Sequence, residues 1–172
     1  MESIRIKKDD VYKIEVNDNG DYIEFDLLDI ELPIKAMNLA KNYKRLYENH
    51  SKKIFAINKE YLNNKELLFR KKYEADKYFF AECRKAFDNF LGEGACQKIF
   101  GDTNRIIMFN ELLEQLEPHF EKMQINVEKI KENLINKYSN SNEDKGILWL
   151  IILQKLKLMD IFIILIQIIV LH

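Results

Sequence analysis

Glycine and proline are scarce in this chain, at 5 and 2 of 172 residues. So few turn-formers exclude a loop-rich or many-stranded fold, while 11 Phe and 8 Tyr supply large side chains for burial, which favours long helices. Cysteine is limited to Cys83 and Cys96. Cys83 lies on an apolar helical stripe, so reduced core thiols are expected rather than a disulfide scaffold. Charge of one sign is missing as well, with 27 Lys and Arg against 28 Asp and Glu. That balance lacks the long-range field that draws proteins onto DNA or RNA, and nucleic acid is not the expected partner. The opening "MESIRIKKDD" has no apolar stretch behind its charges and does not read as a secretory signal, which points to the cytoplasm. At this length the chain is expected to build one core with appendages.

What is present is patterned. In "VYKIEVNDNGDYIEFDL" apolar residues alternate at Tyr12, Ile14 and Val16 and again at Ile23, Phe25 and Leu27, around Asn19-Gly20. A two-residue Asn19-Gly20 loop would set Val16 opposite Ile23, Ile14 opposite Phe25 and Tyr12 opposite Leu27, with all six on one face. "SIRI" could add a third strand through Ile4 and Ile6. A lone hairpin is marginal in water, so its apolar face must pack on helices.

Pro33 suits a helix start, and Ala36, Leu39, Ala40, Tyr43, Leu46 and Tyr47 follow at helical spacing toward an end near His50. Ser51 can cap a second helix carrying Ile54, Ile57, Tyr61, Leu62, Leu68 and Phe69, with "YLNNKEL" as a possible interruption. Phe79, Phe80, Cys83, Phe87, Phe90 and Leu91 then form a one-sided stripe stopped by Gly92 and Gly94. From Asp102 or Thr103 as cap, Phe109, Leu113, Leu116, Phe120, Met123, Val127, Ile130 and Leu134 repeat at spacings of four and three. Pro118 falls inside this seam and should kink the helix or start a new one, yet the seam keeps its phase across it. The expected fold is mostly α (α+β): an N-terminal β-hairpin over 1–32 packed on a bundle of long amphipathic helices over 33–140, then a polar linker and apolar end over 141–172.

No pattern offers a catalytic or metal centre. "EVNDNGDYIEFD" imitates half of a calcium loop through Glu15, Asn17, Asn19, Gly20 and Asp21, but it sits between strand patterns and lacks the closing bidentate Glu. "GEGACQKIFGD" follows a helix and lacks phosphate-loop spacing, so it reads as a helix-ending turn. His50, His119 and His172 are far apart in sequence and join neither cysteine at ligand spacing. Glu111, Glu114, Glu117 and Glu121 could pair carboxylates on one helical face, though a solvated acidic face is the ordinary reading. No enzyme activity, cofactor or metal is therefore expected. The 109–134 seam can bury against a helix of the same chain or of another, and both remain open.

The end, "GILWLIILQKLKLMDIFIILIQIIVLH", is long enough to span a bilayer. Lys155, Lys157 and Asp160 at its middle cost about 2.5–3.5 kcal/mol each, which cancels most of the gain from Ile and Leu, so a membrane span is not favoured. The abrupt change in style fits translation in a different reading frame; a packed or partner-bound helix is the other reading.

Across about residues 1–140, through "VNDNGDYIEFDLLDIELPIKAM" and "ACQKIFGDTNRIIMFNELLEQLEPHFEKM", the chain resembles the small tail assembly chaperone-like proteins of long-tailed phages and prophages of Gram-positive bacteria. The resemblance implies a non-enzymatic protein of the bacterial host cytoplasm. Such a protein binds and shields the helical tape measure protein until tail tube protein replaces it, and self-association is compatible with that role. The family often has a short form and a frameshifted long form; here the added end is only apolar, where a long form usually adds a functional domain. By position, Phe109, Leu113, Leu116, Phe120, Met123, Val127 and Ile130 are the candidates for partner contact. The alternative function is a small host-directed interaction protein, such as an inhibitor of a bacterial or defence enzyme.

Overall fold

The computed structural model describes residues 11–29 and 31–138; near its end, side chains are described through Met123 and at Asn126 and Lys129. Strands β1 (Val11–Glu15) and β2 (Tyr22–Asp26) form an antiparallel hairpin, followed by helices α1 (Leu32–Glu60), α2 (Lys65–Leu91), α3 (Ala95–Phe100) and α4 (Ile106–Tyr138). The fold is thus mostly helical with an N-terminal hairpin, as the sequence pattern implies. The possible third strand at Ile4 and Ile6 and the apolar end both lie outside the described residues.

The hairpin register differs from the expected one. Ile14 pairs with Ile23 and Tyr12 with Phe25, two residues away from the pairing a two-residue loop would give. The cause is Asn17. Its Oδ1 accepts from the backbone N–H of Asn19 (3.0 Å) and of Asp21 (3.2 Å), and its Nδ2 donates to Asp21 Oδ2 (2.9 Å) and to the Lys98 carbonyl (3.0 Å). This side chain closes a turn in which the Gly20 N–H reaches the Asn17 carbonyl and Gly20 takes φ 80°, a conformation that favours glycine. The loop becomes four residues long. Because the shift is even, every side chain keeps its face. Ile14, Ile23, Phe25 and Leu27 enter the core, and Tyr12 and Val16 pack at its edge.

Helix α1 does not end near His50, and Ser51 caps nothing: it is exposed in the middle of one 29-residue helix. No Gly or Pro interrupts "ENHSKKIFAINKE", so nothing there supplies the break that an N-cap needs. The expected interruption at "YLNNKEL" is real. Asn64 caps α2 by accepting from the Leu67 N–H at 3.1 Å, and the short link makes α1 and α2 an antiparallel pair. Gly92 ends α2 as the pattern requires. The "GEGACQKIFGD" turn holds a further short helix, α3, whose start is fixed where Asp88 Oδ1 accepts from the Cys96 N–H at 2.7 Å.

Helix α4 starts at Ile106, a turn later than the expected cap, because Thr103 and Asn104 are engaged by Arg84 and the Asp102 side chain by Gln97. The Arg84 guanidinium donates to the carbonyls of Gly101 and Thr103 and to Asn104 Oδ1, each at 2.8 Å. Pro118 lies exposed inside α4, which continues through it as one helix at the cost of a single backbone hydrogen bond. One core joins the apolar face of the hairpin to α2, α3, the first half of α1 and α4 up to Met123.

Candidate binding surface

The seam on α4 is occupied by its own chain. Phe109, Leu113, Leu116, Phe120 and Met123 are each at most 3% exposed. Phe109 meets the rings of Tyr43, Phe80, Phe87 and Phe100, with centroids 4.9–6.3 Å apart. Phe120 meets Phe25 at 6.2 Å and Phe90 at 6.1 Å. The side chains of Val127 and Ile130 lie outside those described. Glu111, Glu114, Glu117 and Glu121 are all exposed on the outer face of α4.

Apolar surface is open elsewhere. Beyond the core, α1 and α2 continue as a two-helix arm, and along it only Ile57 and Ala75 are fully buried between His50 and Tyr78. Tyr47, Phe55, Leu62, Phe69, Tyr73 and Tyr78 are exposed there, with Phe69 at 76% and Phe55 at 73%. These are six of the eleven exposed large apolar side chains among the described residues. Scattered apolar residues on a surface need no explanation, but a concentration on one element does.

Three of these side chains, Tyr47, Phe69 and Tyr73, share a face. At about 100° per residue, Phe69, Tyr73, Phe80 and Phe87 fall on one line along α2, spread over about 40°. Tyr47 follows Tyr43 one turn further along α1. Tyr43, Phe80 and Phe87 are the rings on which Phe109 sits. The arm face is therefore the seat of α4 carried past the point where α4 begins, floored by Tyr47, half-buried Ile54, Phe69 and Tyr73. From Asn64 to Phe80 it runs for about 24 Å, room for about four helical turns.

The arm also differs from the rest of the chain in charge. Between Tyr47 and Tyr78 the sequence holds eight Lys or Arg and five Asp or Glu, a local excess of +3 in a chain whose total is −1. Glu74 pairs with Lys71 at 2.9 Å and with Arg70 at 3.4 Å. Whole-chain neutrality hid this asymmetry. Counting charge along the helical segments instead of over the entire chain would have exposed it.

The titratable groups in the interior are tied to packing. Burial pushes the Cys83 thiol up to about 12, and it raises Cys96 further, with Asp88 adding to the effect. Tyr43 is raised by burial and donates from Oη to Asn110 Oδ1 at 2.8 Å. His119 Nδ1 lies 3.1 Å from Tyr12 Oη, joining hairpin to α4. Among the described residues no group of three or more His, Cys, Asp or Glu is placed to hold a metal ion, and no helix is long and apolar enough to cross a membrane. Compared with known proteins, the chain matches no family model, no curated protein and no solved structure.

Proposed function

We propose that this protein is a non-enzymatic escort that holds an apolar helical surface of another protein. In particular, we propose a phage tail assembly chaperone that shields the tape measure protein and helps recruit tail tube subunits. One observation carries the reading: the aromatic face of the α1–α2 arm prolongs a seat that already accepts a helix, and nothing among the described residues covers it. An aromatic-floored groove between two helices suits a partner helix laid along it. The tail-specific part rests on the resemblance of the first 140 or so residues. In this reading the contact surface moves from the α4 seam, which the chain's own core fills, to the arm.

The test is co-expression of the full chain with phage tape measure and tail tube proteins, followed by affinity capture. Retention of tape measure protein supports the escort role. Capture of a single host protein in a one-to-one complex, with no tail protein, transfers the arm to the alternative role of a host-directed interaction protein.

A further inference from the structure

The arm carries its own charge in addition to its apolar floor, and together these define a partner's chemistry. We propose that the groove of Tyr47, Ile54, Phe69 and Tyr73 receives an amphipathic helix of net acidic charge from another protein, laid end to end with α4. This deepens the escort reading above and rests on it.

Three occupants compete for the groove, and two lack half of what it offers. A second copy brings acid on Glu111, Glu114, Glu117 and Glu121, but the apolar stripe of that same helix is already buried in its own core. The chain's own segment 147–172 is apolar enough, but its charges are Lys155, Lys157 and Asp160, an excess of the same sign as the arm. A foreign helix with an apolar stripe and Glu or Asp along its borders satisfies both. Its stripe would displace water from the aromatic floor, while its borders meet Lys44, Arg70 and Lys77, which helical spacing sets beside Tyr47 and Tyr73. Complementary charge at such a rim acts mostly on the rate of association and on choice among partners, so the aromatic floor would hold the helix and the lysines would select it.

The experiment uses the full chain and two synthetic peptides of about three heptads. Both have Leu at the seam positions; one has Glu at the flanking positions and the other has Lys. Binding is read by fluorescence anisotropy at low and high salt. The expected result is at least tenfold tighter binding of the Glu peptide, weakening as salt rises. The double variant Phe69→Ser with Tyr73→Ser should lose at least tenfold in affinity without a change in melting temperature, since both side chains are exposed. Equal binding of the two peptides, or binding of neither, overturns the proposal. So does a single-stranded oligonucleotide that binds more tightly than the Glu peptide and is lost with the same double variant. A dimer in sedimentation that the double variant dissolves would assign the groove to a second copy and overturn it as well. If tape measure protein is retained equally by the double variant, the escort role stands and this seat falls. If the Glu peptide binds as expected while no tail protein is captured, the seat stands and the escort role falls.

Discussion

His50 lies flat against Phe79, with ring centroids 4.4 Å apart and planes 21° from parallel, where the arm leaves the core. Its Nε2 is 3.1 Å from Asp76 Oδ1, and its Nδ1 is buried without a hydrogen-bond partner. Burial lowers its pKa; Asp76 pulls upward and Lys53 downward, and burial is the largest effect. The ring is a packed neutral imidazole.

A pH dependence comes from that arrangement. The unfolded chain takes up a proton near pH 6.5, while the folded chain takes it up only at lower pH. Stability from neutral His50 is therefore complete above about pH 6.5 and is lost as pH falls through the lower folded value. His119 is lowered in the same direction, by burial and then by Lys122. Melting temperature should drop between about pH 7 and pH 5, and His50→Phe, which keeps the stack, should reduce the drop. Identical pH profiles for the two proteins would show that His50 does not titrate against folding.

Phe109 and Phe69 should differ sharply in their response to truncation. Phe109→Ala removes a ring at the meeting point of four others and is expected to cost about 3–5 kcal/mol. Phe69→Ala, at an exposed site, should stay within about 0.5 kcal/mol of the parent. Urea unfolding of both variants decides, and comparable losses would mean that the arm face is packed.

Arg84 should not tolerate lysine. Its fork ties two carbonyls and Asn104 together ahead of α4, a geometry that a single ammonium cannot reproduce. Arg84→Lys is expected to cost about 1–2 kcal/mol in denaturant unfolding. A loss no greater than that of an exposed arm residue would show that the bracket contributes little.

The cysteines should be slow to react. With both thiols buried and raised, a disulfide-exchange reagent should label Cys83 and Cys96 only at the rate of opening, and at once in denaturant. Fast labelling of the native chain would place at least one of them at the surface.

Asn17 and Gly20 set the hairpin loop. Gly20→Ala forces a Cβ into a left-handed conformation at about 1 kcal/mol, although nothing lies within 4 Å of the added atom. Asn17→Ala should cost about 1–2 kcal/mol through its lost bonds to Asn19, Asp21 and the Lys98 carbonyl. Thermal melts of the two variants test this, and a neutral Asn17→Ala would return the turn to backbone geometry alone.

Much of the architecture is written in local patterns. Alternation put Ile14, Ile23, Phe25 and Leu27 on one face, helical spacing picked out Phe79, Cys83, Phe87 and Phe90, and Gly92 marked a helix end, because burial and backbone freedom act over a few neighbouring residues. The exact pairing of the strands escaped, since a shift by two leaves the pattern unchanged and only Asn17, reaching across to Lys98, selects the longer loop. The role of the α4 stripe escaped as well: period and apolarity make a helix sticky on one side without saying which neighbour it meets. Tertiary packing placed Phe109 among Tyr43, Phe80, Phe87 and Phe100 and ended that contact where α4 begins, leaving Phe69 and Tyr73 on the same line uncovered. Sequence determined which faces are apolar; which of them are filled depends on how far each helix extends along its neighbours, a property that no single segment contains.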